Sequence, residues 1–435
     1  MLNLSPDFLS RMKCILGDEY PMFLQSLEQP KENAIYVNQN KMAVGKFKEL
    51  IDFKISPIEY EPAGFYVDST KKGRHPLHHA GVFYMQEPSA MFTVNAHQFK
   101  GDELVLDLCA APGGKSIQIA NRIPNGTLVS NEINKTRSEI LFSNIERMGL
   151  KNVIVTNDKP ENIAKAYANT FDVCLVDAPC SGEGMFRRGE TVVQEWNKNL
   201  PAMCAERQLN ILHHADIALK QNGILIYSTC TYSLEENEQV VTTFMKNYGY
   251  EIVNIKQNIS RGINLEQAVR LYPHRVKGEG QFVAVLKKKS ENLHCAENPM
   301  RLCVDKTAQK WLEANTNLTC SVYESGNFSY IVSNTQLIKR KINYISWGVR
   351  AFERHDKRVE PHHNLFAAFG LEFNNKIDLE FTHLNVEKYL KGETFSCENE
   401  NGYAAVLINS AAVGGVKITN GVAKNHYPKG LRNFK

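Results

Sequence analysis

Two cysteines carry the strongest chemical signal in the chain. Cys180 lies in Asp177-Ala178-Pro179-Cys180-Ser181-Gly182-Glu183-Gly184, and Cys230 lies in Ser228-Thr229-Cys230-Thr231-Tyr232-Ser233. Each stands just past an apolar run that reads as a strand, Val173 to Asp177 and Gly223 to Ser228. Their neighbours are Gly, Ser and Thr, whereas Cys174 sits inside its strand and reads as an inert, small apolar residue. Two thiols at neighbouring strand ends project into one crevice and point to covalent, nucleophilic chemistry. The thiolate is the reactive form, and with a free pKa of about 8.5 it needs a positive centre or a helix terminus beside it.

A second set of residues describes a ligand pocket. A strand over Leu104 to Leu108 runs through the small-residue turn Cys109-Ala110-Ala111-Pro112-Gly113-Gly114-Lys115 into a helix, an architecture that brings backbone close to a nucleotide-like ligand. Gly114-Lys115-Ser116 matches the end of a phosphate-binding loop, but Cys109 stands where that pattern needs its first glycine. Pro112 lacks an amide and Asp107 sets a carboxylate beside the turn, so polyphosphate is disfavoured. Glu132, past the next strand, can accept from both ribose hydroxyls, and Asp158, past the third, can take an adenine amino group. A ribose, an adenine and a positive charge without phosphate describe S-adenosylmethionine.

Such a cofactor beside two thiols suits methylation of carbon 5 of cytosine. That carbon is a poor nucleophile until a thiolate adds at carbon 6 and turns the ring into an enamine. One cysteine must add, and a second group must later remove the carbon 5 proton. An acid such as Asp177 can donate to, or hydrogen-bond with, the ring's N3 and N4 edge. A cytidine inside a duplex has to be extruded, so an accessible one is the expected target.

These residues need a scaffold of successive strand ends. The 435 residues imply two to four domains, and shares of 43% hydrophobic and 23% charged residues exclude a disordered or repeat-dominated chain. Strands are expected over Leu104 to Leu108, Thr127 to Ser130, Val153 to Thr156, Val173 to Asp177, Gly223 to Ser228 and Phe282 to Leu286, with helices over Lys115 to Asn121 and Lys135 to Met148. That alternation predicts an α/β fold with a doubly wound, mostly parallel sheet. Upstream, two short helices broken at Gly17 and Pro21 precede a strand over Ala34 to Asn38 and a basic, mobile loop at Lys71, Lys72, Gly73 and Arg74. Downstream, a polar linker follows Lys289, then strands over Phe328 to Val332 and Gly402 to Leu407. The organisation expected is an N-terminal accessory domain at 1–95, the core at 96–289, a first C-terminal domain at 290–370 and a last one at 371–435.

Taken together, the motifs resemble the Nol/Nop/Sun family of RNA 5-methylcytosine methyltransferases, in particular its bacterial RsmF-like ribosomal branch, over nearly the whole chain. The resemblance implies a class I, Rossmann-like sheet of the seven-stranded type. It makes Cys230, in the Thr-Cys-Thr motif, the nucleophile, and gives Cys180, in Asp-Ala-Pro-Cys, the role of assisting product release. Cys109 to Lys115, Glu132, Asp158 and Asp177 fall on the family's cofactor positions. Tyr84 to Met91 and the run from Leu271-Tyr272-Pro273-His274 to Gly278-Glu279-Gly280-Gln281-Phe282 resemble flanking motifs expected to border the crevice. Lys424 to Arg432 resembles the end of a PUA-like RNA-binding module. Tyr36 departs from the pattern, since relatives usually carry arginine there.

The remaining signals bear on partners. The net charge of +4 requires RNA contacts to come from local patches, and Arg187-Arg188, directly after the catalytic loop, is the favoured one among Lys71, Lys72, Arg74, Arg275, Lys277, Lys339, Arg340 and Lys341. The pairs His78-His79, His213-His214 and His362-His363 lack acids or thiols at ligand spacing, and the ten cysteines include no Cys-x-x-Cys, so no metal is expected. No run approaches the roughly 18 apolar residues of a membrane helix, and Met1 to Asp18 lacks the order of a signal peptide, which predicts a cytoplasmic protein. The expected partner is ribosomal RNA or the small ribosomal subunit, the expected state a monomer. A transfer RNA methyltransferase of the same chemistry and a non-catalytic ribosome-assembly factor are the alternatives.

Overall fold

The computed structural model describes residues 3–257, 259–290, 294–298, 300–333, 340–356 and 358–432, apart from the side chains of Thr70 and Lys71. Lys339, one of the basic residues singled out above, lies outside them. The chain opens with α1 (Pro6–Leu16) and α2 (Tyr20–Glu28). Pro21 sits in the first turn of α2, where a missing N–H costs nothing, so it starts that helix and does not break it. Then come β1 (Asn33–Val37), α3 (Val44–Leu50), β2 (Ile55–Ile58), β3 (Glu61–Val67), α4 (Pro76–His79), β4 (Phe83–Met85) and α5 (Pro88–Asn95), with the strands ordered β2-β3-β1-β4 in an antiparallel sheet. Where a basic loop was expected there is a short 3-10 turn, Thr70–Arg74, with Lys72 Nζ 4.4 Å from the centre of the Phe53 ring.

The central sheet follows from its continuously apolar strands. Every residue of β5 (Leu104–Asp107), β6 (Thr127–Asn131) and β7 (Val153–Thr156) is buried, as strands covered by helices on both faces must be. Between them run α6 (Gly114–Arg122) and α7 (Lys135–Arg147), and after them α8 (Pro160–Ala166), β8 (Phe171–Asp177), α9 (Glu190–Glu195), α10 (Leu200–Ala218), β9 (Leu219–Thr229) and α11 (Glu238–Tyr248). The five strands are parallel, in the order β7-β6-β5-β8-β9. The chain steps outward from β5 to β7 and then returns to place β8 on the other side of β5. The winding reverses there, and such a reversal opens a crevice at the carboxyl ends of the strands.

Antiparallel strands complete both edges. With β10 (Tyr250–Val253), β11 (Arg261–Gly262), β12 (Leu265–Leu271) and β13 (Gln281–Lys288), the sheet continues from β9 to β13, whose far edge is shared by β10 and β12. Arg270 of β12 is buried with Glu238 at the start of α11, its Nε and Nη2 2.7 and 2.5 Å from the two carboxylate oxygens. Removing one partner of such a pair strands a buried charge.

In the next segment, α12 (Lys306–Asn315) precedes β14 (Val322–Ser325), β15 (Phe328–Ile331), β16 (Tyr344–Ser346), β17 (Val349–His355), β18 (Arg358–Pro361) and α13 (His363–Phe369). Its antiparallel sheet is ordered β14-β15-β17-β18, while β16 pairs with β7 and extends the central sheet. A strand from the 290–370 range is therefore part of the core sheet. The last unit comprises β19 (Lys376–Leu379), α14 (Leu384–Lys391), β20 (Phe395–Ser396), β21 (Gly402–Ile408), β22 (Ala411–Thr419) and β23 (Val422–Asn425), ordered β19-β21-β22-β23-β20. No described helix is long and apolar enough to cross a membrane.

Candidate active site

The two cysteines meet because β8 and β9 are neighbours in register, with Asp177 opposite Ser228. The loops leaving these strands bring Cys180 Sγ to 3.2 Å from Cys230 Sγ, and both are free thiols. Cys230 lines a cavity of about 370 Å3, and Cys180 stands behind it, off the cavity wall. The hydrogen bond with Cys230, together with burial, pushes the Cys180 thiol well above its ordinary value. Aromatic packing fixes both loops from below: Phe186 meets Phe8 of α1 edge-on at 5.0 Å, and Tyr232 meets Phe23 of α2 at 5.2 Å. The first 28 residues thus support the cysteines directly.

Asp177 stands beside the pair. Its carboxylate accepts from Lys115 Nζ at 2.7 Å, Ser228 Oγ at 2.7 Å and Gln281 Nε2 at 3.3 Å. Burial alone would lower the Lys115 ammonium, but the charge and hydrogen bond of Asp177, with Cys230 and Asp107 also facing it, outweigh that cost and raise its pKa. Lys115 is therefore a charged ammonium held between Asp177 and Cys230.

The cavity itself joins Cys109, Ala110, Ala111, Pro112, Gly114, Lys115, Asp177 and Cys230 of the expected set. Gly113 does not line it but makes the turn: its φ of +113° is open to glycine, and a Cβ there would meet Leu141 at 3.0 Å. At Gly114 a Cβ would press on Tyr84 and Gln86 at 3.1–3.3 Å, so the small residue lets the flanking motif close over the cavity. Tyr84, Met85, Gln86, Glu87 and Gln281 indeed line it, as the flanking motifs suggested. Cys109 stands half-buried near Asp107, Glu132 and Asp177; burial first, then those charges, push its thiol far up.

Glu132 and Asp158 are not brought to the wall. Glu132 follows β6, its carboxylate accepting from the Asn134 amide at 2.9 Å and lying 3.4 Å from Arg137, which does line the cavity and also donates to Ala111 O at 2.7 Å. Asp158 is used elsewhere: one carboxylate oxygen accepts from Lys159 N and Asn162 Nδ2 at 2.8 and 2.6 Å, the other from Asn343 N at 3.0 Å. These bonds tie it to the start of α8 and to the segment leading to β16, off the cavity wall.

Asp107 and Gln86 belong to the site, although the sequence did not single them out as ligand contacts. Asp107 is fully buried, with Oδ2 accepting from Ser116 Oγ at 2.7 Å, while Oδ1 has no hydrogen-bond partner. Burial, with the charge of Asp177, pushes its carboxyl up to about 7. Gln86 Oε1 is likewise buried without a partner. Orphaned buried acceptors are costly, and two of them on one wall fit a ligand that carries positive charge and N–H donors. The residues present fit S-adenosylmethionine.

Other expectations change. The side chain of Arg187 is largely covered, with Nε 2.8 Å from Glu279 and further bonds to Ser26 O and Gly278 O, and Arg188 donates to Glu32 O at 3.0 Å with Nε 3.4 Å from Glu279. They lock the catalytic loop to the hairpin before β13, which overturns their reading as an RNA-facing patch. Tyr36 is fully buried in β1 and offers RNA no surface. His79 and His213 each pair with a tyrosine hydroxyl, at 3.1 and 3.0 Å, and among the described residues no cluster of His, Cys, Asp and Glu has the arrangement to hold a metal.

Comparison with known proteins gives a consistent result. Three family models match in order along the chain: the N-terminal domain of 16S rRNA methyltransferase RsmF at 4–88, 16S rRNA methyltransferase RsmB/F at 94–287 and the methyltransferase RsmF PUA domain at 376–433. Ribosomal RNA small subunit methyltransferase F of Vibrio campbellii is 35% identical over 299 residues, 65% of this chain and 62% of that protein, so the match spans less than two thirds of that relative. The protein of the same name from Aliivibrio salmonicida is 28% identical over 98% of this chain and 97% of its own length. Among solved structures, a methyltransferase homolog from Pyrococcus horikoshii is 27% identical with a TM-score of 0.59, covering 66% of this chain and 96% of that one. NSun6 from the same organism, solved with SFG, is 22% identical with a TM-score of 0.60 over 67% of this chain and shares the fold. With its class I sheet, its N-terminal unit and its PUA domain, the chain belongs to the S-adenosylmethionine-dependent small-subunit ribosomal RNA methyltransferase F family.

Proposed function

We propose that this protein methylates carbon 5 of a cytidine in small-subunit ribosomal RNA, through a covalent bond between Cys230 and carbon 6. The observation that carries the reading is the pair of free thiols 3.2 Å apart, with Cys230 on the cavity wall and Lys115 facing it. Neighbouring thiols at the mouth of a cofactor cavity suit a reaction in which one adds and the other completes the release.

When bound, S-adenosylmethionine supplies a methyl group held as an electrophile on positive sulfur. Asp107 and Gln86 would offer it their unpartnered oxygens and the Cys109 to Lys115 turn one wall of the cavity, while Glu132, off that wall, would reach a ribose only by exchanging its contact with Arg137. Asp158, off the cavity wall, makes no cofactor contact where it stands. Lys115 steadies the Cys230 thiolate, which adds to carbon 6 and pushes an electron pair toward carbon 5. Asp177 already accepts from three donors, so it serves the ring as an acceptor, holding the exocyclic N4–H. After methylation at carbon 5, Cys230 is held in the C6–S bond and no longer raises its neighbour, so the Cys180 thiol gives its proton to water and, as thiolate, takes the proton from carbon 5. The released C–H pair re-forms the C5–C6 double bond as the C6–S bond breaks, and Cys230 departs as thiolate. The N-terminal unit and the two C-terminal units, bounded near residues 95, 289 and 370, hold the RNA around this site.

The test is the fate of the adduct. Replacing Cys230 with alanine is expected to abolish transfer with no trapped RNA, whereas Cys180→Ala is expected to accumulate a protein–RNA band that survives denaturation. A Cys180→Ala protein that traps no RNA would contradict this division of labour.

A further inference from the structure

Behind the thiols, two successive residues each hold one cysteine loop. Glu236 is fully buried; its carboxylate accepts from the Ser181 amide at 2.9 Å, from the Ser181 hydroxyl, and from Gln208 Nε2 at 3.0 Å. Gln208 Nε2 also donates to Pro179 O at 3.1 Å, so the residues on both sides of Cys180 are fastened to Glu236, directly or through Gln208. Asn237, equally buried, does the same for the other loop: Oδ1 accepts from Thr229 Oγ1 at 2.6 Å and Nδ2 donates to Thr231 O at 3.0 Å, on the two sides of Cys230. The hydroxyls of Ser181 and Thr231 lie 2.8 Å apart and close the bridge between the loops. Below, the single O–H of Tyr227 is shared between Glu236 O at 2.6 Å and Gln208 Oε1 at 2.9 Å.

No loop of this kind sets a sulfur–sulfur distance unaided, because glycine, serine and threonine segments have many accessible conformations. Here both loops are referred to one rigid point where α11 begins. We propose that Glu236 and Asn237 are positioning residues with divided tasks, Glu236 holding Cys180 for proton removal and Asn237 holding Cys230 for attack at carbon 6. The proposal rests on the roles given above to the two cysteines.

A division of tasks has a signature that simple loss of structure lacks, since the two variants must fail at opposite steps. The full-length protein is mixed with unmodified small ribosomal subunits and labelled S-adenosylmethionine, and first-turnover methyl transfer is read beside denaturation-resistant adduct. Glu236→Gln is expected to keep first-turnover transfer, to slow steady-state turnover by roughly tenfold to a hundredfold and to accumulate adduct. Asn237→Ala is expected to lose first-turnover transfer by a similar factor and to form no adduct. Ser181→Ala removes a single hydroxyl and should reproduce the Glu236→Gln pattern, which decides the matter should Glu236→Gln fail to fold. Equal loss of both steps in the two variants, or no adduct with Glu236→Gln or Ser181→Ala, would overturn the proposal. Cys180→Ala in the same gel separates the failures: if it too traps nothing, the roles of the cysteines are at fault.

Discussion

The two halves of the active site are built on opposite terms. On the cofactor side, the ends of β4 and β5 leave buried acceptors without partners, at Gln86 Oε1 and Asp107 Oδ1. On the cysteine side, the ends of β8 and β9 carry a continuous net in which Ser181, Thr231, Glu236, Asn237, Gln208 and Tyr227 satisfy one another. Unsatisfied acceptors are tolerated where a ligand completes them, whereas chemistry between two sulfur atoms and a ring needs groups fixed before the substrate arrives. In the proposed mechanism, one half is complementary to a cation and the other is pre-organised for a covalent step.

Breaking the cysteine half should therefore cost stability, and altering the cofactor half should cost affinity. The largest effect is expected at the Arg270–Glu238 pair beneath Tyr232, whose carbonyl accepts from Arg270 at 2.8 Å. Glu238→Ala leaves a buried guanidinium unpaired and should destabilise the fold by about 3–5 kcal/mol in chemical denaturation, and a loss under about 1 kcal/mol would contradict the reading. Next comes Asp107→Asn, which should weaken S-adenosylmethionine binding by roughly tenfold or more, as loss of a charged contact does.

Asp107 also sharpens the comparison through pH. Its carboxyl titrates near 7 in the folded protein against an ordinary 3.8, so between those values the folded chain keeps a proton that the unfolded chain has lost. This group's contribution makes stability fall as pH rises through that window and level off above 7. Ligand binding has the opposite sign, because a cation favours the carboxylate: affinity should rise toward pH 7 and then flatten. Calorimetry on the unaltered protein and Asp107→Asn checks this, and an unchanged slope in the variant would remove Asp107 from the site.

Smaller effects complete the series. Glu132→Gln keeps the hydrogen-bonding shape but not the charge, and should weaken cofactor binding by roughly threefold to tenfold. Asp158→Asn should change it less than about twofold, since both carboxylate oxygens are already engaged within the protein. A larger loss at Asp158 than at Glu132 would reverse their assignment.

How much of this was legible in the sequence depended on range. The strands carrying the site were readable because fully covered parallel strands are continuous apolar runs: Val153 to Thr156 coincides with β7, and Val173 to Asp177 ends where β8 ends. Strands β10, β12 and β16 were missed, being short or mixed in polarity and defined by pairing with β13 or β7. The cysteines, Asp177 and the Cys109 to Lys115 turn were visible because local motif and strand end coincide. Arg187 and Arg188 were misread because charge is local in sequence, whereas their partner Glu279 lies about ninety residues away. Glu236 and Asn237 were hidden for the same reason: their meaning lies in bonds to loops that only the fold brings together.

The most direct measurement is transfer of labelled methyl from S-adenosylmethionine to unmodified small ribosomal subunits, naked ribosomal RNA and transfer RNA in parallel, followed by digestion to nucleosides. Label in 5-methylcytidine from the small-subunit substrates, absent with Cys230→Ala, is the predicted result. Label in another nucleoside, label that persists without Cys230, or label confined to transfer RNA would contradict the account.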